Sequence, residues 1–218
     1  MRKIIVVTHL TMDGVMQGPG GQEEDRSNGF KWGGWTFHYQ DDVTNNAMGK
    51  IMSGSFDLLL GHFTYDIFAS YWPYESNAIA DTFNRASKYV VATKPVNLSW
   101  KNSILIDKDV VNELKKIKNQ EGPDLLVWGS RRLIQTLLSN HLVDVLHTWT
   151  VPITLGEGKK LFEEGTQAQQ WKLTESAVST KGVFIATYVP GGEVELGSFA
   201  SDETNKAALA RREKRSGN

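Results

Sequence analysis

Gly129, Ser130, Arg131 and Arg132 form the stretch of this chain best equipped to hold an anion. They follow Leu125 to Trp128, an apolar run of strand length, and precede Leu133, Ile134, Leu137 and Leu138 at helical spacing. Residues 124–138 therefore read as a buried strand, a tight turn and a helix start. Gly129 reaches backbone conformations closed to other residues, and a turn built on it aims N–H groups outward. A helix start carries about half a positive charge, so each arginine there is unfavourable by roughly 0.3 to 1 kcal/mol unless an anion is close. A phosphate on the N–H groups of Gly129 and Ser130, with an arginine beside it, offsets that cost. A plain strand-to-helix turn with its arginines spread into solvent also fits these residues.

Other chemistries fail on residue type or spacing. Gly156-Glu-Gly-Lys159 lacks the earlier glycine of a phosphate-binding P-loop, since Ile153 stands there, and Lys160 replaces the hydroxyl residue after the lysine. No G-x-G-x-x-G pattern completes after Gly18 and Gly20 or after Gly156 and Gly158. His9, His38, His62, His141 and His147 are scattered without an H-E-x-x-H, so no metal site is expected. No G-x-S-x-G presents a nucleophilic serine. The chain has no cysteine, which excludes disulfides and thiolate ligands and fits a reducing cytoplasm.

The elements that must position the anion site alternate in type. Residues 3–10 read as a first strand, with Ile4 to Val7 continuously apolar as in a strand covered on both faces. A long segment, 15–39, is rich in glycine and carries Phe30, Trp32, Trp35, Phe37 and Tyr39. Its aromatics argue against disorder and suggest either a loop folding over a flat ligand or one packing on itself. Asp41 and Asp42 open a helix to about Ser53. Residues 57–66 repeat strand, glycine and helix, with Thr64 as N-cap. Tyr71, Trp72 and Tyr74 fit a pocket wall or a satellite core. A helix at 77–86, strands at 88–93 and 103–106 and an amphipathic helix at 108–120 lead to the anion-binding stretch. A strand at 142–152 and an antiparallel hairpin, 171–179 with 182–190, follow it.

Strands alternating with helices imply right-handed crossovers, a mostly parallel sheet and ligands at the C-terminal strand edge. One domain, 1–190, with a polar tail, 191–218, possessing a helical charge pattern from Asp202 to Arg215, accommodates all 218 residues. The net charge of −1 gives no whole-molecule attraction for nucleic acid or an anionic membrane. Apolar runs are far shorter than the ~20 residues of a membrane span, and the apolar start ends at Thr8-His9 without a cleavage signal.

Thr11-Met12-Asp13-Gly14, Leu60-Gly61-His62-Phe63-Thr64, Trp128-Gly129-Ser130 and Val151-Pro152 through Leu161-Phe162 occur in an order that resembles one family. It is the dihydrofolate-reductase-like proteins related to the C-terminal reductase domain of the bifunctional riboflavin-biosynthesis deaminase-reductase, and the resemblance spans about residues 3–190. It implies an α/β, three-layer fold with a mostly parallel central sheet and antiparallel C-terminal strands. It also implies NADPH across the C-terminal strand edge and a homodimer. By the resemblance, Gly61, His62 and Thr64 meet the pyrophosphate, Gly129, Ser130, Arg131 and Arg132 the phosphates, and Thr93 and Lys94 the adenosine side. Val15, Met16, Gln17 and Gly18 border the nicotinamide, and Asp13 orients or protonates the substrate. A carboxyl half-buried beside a ring can have its pKa raised enough to donate near neutrality, although Asp13-Gly14 also fits a simple turn pair.

His62 departs from the family's arginine. The deaminase half is missing, since neither its H-x-E nor its P-C-x-x-C pattern is present. The implied activity is hydride transfer from NADPH to a small heterocyclic or ribosylaminopyrimidine-like substrate, as in a 5-amino-6-(5-phosphoribosylamino)uracil reductase. A pteridine or dihydrofolate reductase is an alternative, and so is a non-catalytic nucleotide-binding or interaction protein.

Overall fold

The computed structural model describes residues 1–197, so the helical pattern expected in the tail from Asp202 onward lies outside the described residues. The chain runs β1 (Ile4–Thr11), α1 (Asp42–Met52), β2 (Phe56–Gly61), α2 (His62–Tyr71), α3 (Ala78–Arg85), β3 (Lys88–Val91) and β4 (Ser103–Ile106). It continues with α4 (Val110–Asn119), β5 (Asp124–Trp128), α5 (Arg131–Ser139), β6 (Val145–Val151), β7 (Gln170–Val178) and β8 (Phe184–Gly192). Eight strands form one sheet in the order β4-β3-β2-β5-β1-β6-β8-β7. Strands β1 to β6 pair in parallel; β8 runs antiparallel to β6 and to β7. This is the expected α/β architecture, a mostly parallel sheet with antiparallel C-terminal strands.

The parallel strands are apolar on both faces because both faces are covered. Leu58, Leu59 and Leu60 are fully buried, which contributes roughly 1.5 to 3 kcal/mol each. On one face Ile4, Val6, Leu59, Leu125 and Val127 pack against Leu114 and Ile117 of α4 and Leu133, Ile134 and Leu137 of α5. On the other, Val7, Leu58, Leu60 and Leu126 pack against Tyr65 of α2 and Phe83 of α3.

Two helix starts follow local chemistry, and the one N-cap expected from the sequence, Thr64, is not one. Asp41 caps α1 through the Thr44 N–H in a capping box, and Asn77 caps α3. Thr64 does not cap α2: the helix begins at His62 with Gly61 as N-cap, and the Thr64 hydroxyl serves a partner 66 residues away. Below the sheet, Arg2 is buried and bonds the Asp57 carboxylate, the Tyr89 hydroxyl and the Pro123 carbonyl. Asp57 also accepts the Ser87 N–H at 3.0 Å, so one carboxylate ties β1, β2 and the approach to β3 together.

Candidate functional site

Two strand-to-helix turns meet at the C-terminal edge of the sheet, one after β2 and one after β5. Gly129 and Ser130 both adopt left-handed backbone conformations, with φ of +65° and +61°. The second is uncommon for a residue with a side chain and is held by non-local bonds. The Gly61 N–H donates to Ser130 Oγ at 2.8 Å, and the Ser130 hydroxyl donates to Thr64 Oγ1 at 2.6 Å. A Cβ on Gly61 would lie 2.9 Å from Ser130 Oγ, so only glycine lets the two turns approach this closely. The result places the starts of α2 and α5 side by side, each with N–H groups unmet within its helix. The Gly129 N–H instead faces the Val7 carbonyl at 3.5 Å, which corrects its expected role as a phosphate donor.

Ser130→Ala removes both bonds that join the turns. Leaving the Gly61 N–H without its acceptor costs about 1 to 3 kcal/mol. Urea unfolding will report that loss, and the Gly61 amide will exchange faster with solvent than in the unmodified protein.

A cleft of about 1670 Å³ opens over these turns. Met16, Gln17, Gly18, Gly61, His62, Thr64, Thr93, Lys94, Gly129, Ser130, Arg131 and Arg132 all line it. At one end lie Thr93 and Lys94 beyond β3 and the first turn of α5; Lys94 and Arg132 are exposed. Arg131 is not free, because its guanidinium bonds Glu163. His62 Nε2 is 3.2 Å from Asp66 Oδ2, one turn along α2.

Asp13 and Val15 stand apart from this group. The Asp13 carboxylate accepts from the Thr11 hydroxyl at 2.5 Å and from the N–H groups of Leu155 at 3.2 Å and Gly156 at 2.8 Å. Desolvation pushes its pKa up, but these hydrogen bonds together outweigh it and hold the carboxyl below its ordinary value. The expected raised pKa is therefore reversed. Asp13 clamps two loops as an anion and is outside the cleft lining. Val15 is fully buried in the core with Phe30 and Trp35, so it cannot border a ring in the cleft.

The glycine-rich loop contributes to the cleft differently from its aromatic reading. Phe30 and Trp35 are buried against Trp149 and Val151, while Trp32 and Phe37 are exposed. These aromatics anchor the loop, and Gln17 to Asp25 face the cleft. The Gln17 amide holds the loop by donating to the carbonyls of Asp25 and Ser27, both at 3.1 Å, and by accepting the Lys159 N–H at 3.0 Å. Lys159 also pairs with the buried Asp25 carboxylate.

Sequence reading missed His9, Trp128 and Lys159 as cleft residues. Val7 is the register partner of Trp128, and His9 lies two residues further along β1, so all three project from one face. His9 was legible in principle, as a histidine continuing the apolar face of a central strand. Its ring meets Trp149 edge-on at 5.0 Å, and its Nε2 is buried with no hydrogen-bond partner among the described residues. Burial lowers its pKa from 6.5 to about 4, leaving it neutral at physiological pH.

That shift predicts a pH effect. Between pH 6.5 and about 4 the unfolded chain takes up a proton that the folded one refuses, so stability is highest above this window and falls as pH drops through it. The loss approaches about 3 kcal/mol. Urea midpoints measured from pH 7 to 4 will fall more steeply for the unmodified protein than for His9→Gln.

The fold is of the dihydrofolate-reductase-like class. Within it, residues 2–185 match the RibD C-terminal domain, and the chain belongs to that family. The uncharacterized protein YyaP of Bacillus subtilis (strain 168) is 26% identical over 193 residues, covering 86% of this chain and 94% of the relative. Among solved structures, a protein assigned to riboflavin biosynthesis from Shewanella sp. PV-4 is 20% identical with a TM-score of 0.62, covering 86% of this chain and 98% of its own. Dihydrofolate reductase from Enterococcus faecalis, complexed with NADP(H) and RAB-propyl, is 15% identical with a TM-score of 0.55, covering 87% and 96%. No helix among the described residues is long and apolar enough to cross a membrane.

Proposed function

We propose that this protein is a reductase that uses NADPH to reduce a small heterocyclic substrate. The observation that carries the reading is one cleft that gathers two adjacent helix starts, Lys94, Arg131 and Arg132 together with apolar residues of the sheet and α2. The donor set fits a dinucleotide: the closely apposed starts of α2 and α5 suit a pyrophosphate, and exposed Lys94 and Arg132 suit a further phosphate. Membership of the RibD C-terminal domain family and the NADP(H)-bound Enterococcus faecalis relative support the same direction. When bound, the cofactor would supply a hydride. The chain's own part is to bind and orient: Gly61, His62, Thr64 and Ser130 at the pyrophosphate, Met16, Gln17 and Gly18 beside the nicotinamide, and the sheet floor beneath the substrate.

Asp13 has no place in this mechanism, since its carboxylate is fully engaged outside the cleft. A cytoplasmic setting would supply reduced cofactor and agrees with a chain that has no cysteine. Purified protein titrated with NADPH, then offered pterin and pyrimidine substrates, tests the function. Oxidation of NADPH upheld across the titration supports it, and binding without turnover would favour a nucleotide-binding role instead.

The same reading includes a homodimer. Among the described residues, strand β7 ends the sheet with an unpaired edge, and Leu173 and Val178 on it are 47% and 65% exposed; such an edge invites pairing with another chain. Sedimentation equilibrium is expected to give twice the chain mass, and a monomer at micromolar concentration would count against it.

A further inference from the structure

We propose that His9 is the residue through which the cleft recognises its heterocyclic substrate, donating the Nδ1 N–H to an uncharged acceptor on the ring, a carbonyl oxygen or an unprotonated ring nitrogen. This rests on the reductase reading above and deepens it, because Asp13, the side chain expected to orient the substrate, stands outside the cleft lining. His9 lies near the end of β1, the strand between β5 and β6, and lines the cleft. Val7 and its register partner Trp128 make the surface beside it apolar. Trp128, Phe68 and Trp72 line the same cleft and gather round the Phe83 ring at 6.3, 5.8 and 4.9 Å. A flat ring fits such a surface, and one polar group placed among apolar ones fixes its orientation.

The two nitrogens of the His9 ring have different surroundings. Nε2 is buried without a partner among the described residues. The ring meets Trp149, its register partner on β6, edge-on at 5.0 Å, and Trp149 Nε1 is buried without a partner as well. Buried polar atoms left alone are costly. An indole N–H only donates, so the imidazole can answer it only by accepting at Nε2. A proton on Nε2 would instead bring two donors together in the interior. The single proton of a neutral ring therefore belongs on Nδ1. That nitrogen is not among the buried atoms and has no hydrogen-bond partner among the described residues, which leaves it to the cleft.

Charge decides which acceptor suits this donor. Burial lowers the His9 pKa to about 4, so the ring is neutral at physiological pH. A neutral ring offers one hydrogen bond and no net charge. That matches an uncharged acceptor better than a carboxylate or phosphate, whose desolvation it could not offset. Anionic parts of a ligand have exposed cations elsewhere in the cleft lining, at Lys94 and Arg132. His9 therefore reads the heterocycle itself. Its part is to hold the ring and keep its proton, since losing it would leave an imidazolate anion in a desolvated place.

The test titrates two carbonyl-bearing probes, pterin and 5,6-diaminouracil, by calorimetry into full-length protein saturated with oxidised cofactor, so that no turnover intervenes. At least one probe is expected to bind the unmodified protein. His9→Leu should weaken that probe by about tenfold or more, the scale of one lost hydrogen bond in a desolvated site, while NADPH affinity stays within about twofold. His9→Asn sets an amide close to the place of Nδ1 and should keep the probe within about threefold of the unmodified protein. A merely structural histidine would not be rescued in this way. Nitrogen-15 NMR of the unmodified protein should show the His9 proton on Nδ1 and a shift of that resonance when the probe is added. If the proton sits on Nε2, if His9→Leu binds the probe as well as the unmodified protein does, or if NADPH binds and neither probe does, this inference falls and the reductase reading stands. Failure to bind NADPH, measured separately, removes both.

Discussion

Asp57→Ala will destabilise the protein by about 3 to 5 kcal/mol, the range found when one partner of a buried ion pair is removed and the other charge is left behind. The guanidinium of Arg2 is almost wholly buried, with Asp57 as its one ion-pair partner among the described residues. Without that carboxylate the cation keeps only the Tyr89 hydroxyl, at 3.2 Å, and the Pro123 carbonyl. The Ser87 N–H loses its acceptor in the same step. Arg2→Met combined with Asp57→Ala should recover a large part of the loss, because the guanidinium is then no longer left in the interior without its carboxylate. Urea unfolding of the two single variants and the double variant measures this. A single Asp57→Ala variant within 1 kcal/mol of the unmodified protein would show that Arg2 finds water when its partner goes. The site should feel the change too, since β2 ends at Gly61.

The sheet was legible because its information is local. Leu58 to Leu60 and Leu125 to Val127 are unbroken apolar runs, and strands covered on both faces need nothing else. The caps of Asp41 and Asn77 reach only three residues along the chain, so the helices they open are local too. The site residues carried by glycine turns were also visible, and the cleft gathers all of them except Asp13 and Val15. What could not be read is which side chain answers which. The partners of Asp13 are N–H groups about 140 residues later, Thr64 is claimed by Ser130, and Arg131 by Glu163. Each of these is a polar residue with several local options, and the tertiary fold decides among them.

The Phe30 and Trp35 pair shows the same limit for apolar residues. An aromatic-rich loop fits equally a cover for a ligand or a loop packed on its own protein, and composition carries no term that separates them. Trp35 donates its indole N–H to the Gln17 carbonyl at 2.8 Å. That bond directs the aromatic inward and leaves the glycine-rich backbone facing the cleft. The loop is thus shaped by its anchors, and substitutions there should alter ligand affinity through position rather than contact.

Cofactor choice follows from the exposed cations of the cleft lining, Lys94 and Arg132. Lys94→Ala with Arg132→Ala is expected to weaken NADPH by about two powers of ten while changing NADH by less than about threefold. The two cofactors differ by a ribose phosphate, and charge-assisted hydrogen bonds to such a dianion are worth about 1.5 to 3 kcal/mol each. Both side chains are exposed, so salt screens part of that energy and the lower end of the range applies. Arg131→Ala alone should matter less, because Glu163 already holds that guanidinium away from full use. Glu163→Gln loosens the hold and should tighten NADPH relative to NADH. Fluorescence titrations with both cofactors at two salt concentrations separate these effects: the double alanine variant should also lose most of the salt dependence of NADPH binding. Equal affinities for NADPH and NADH in the unmodified protein would overturn the assignment of Lys94 and Arg132.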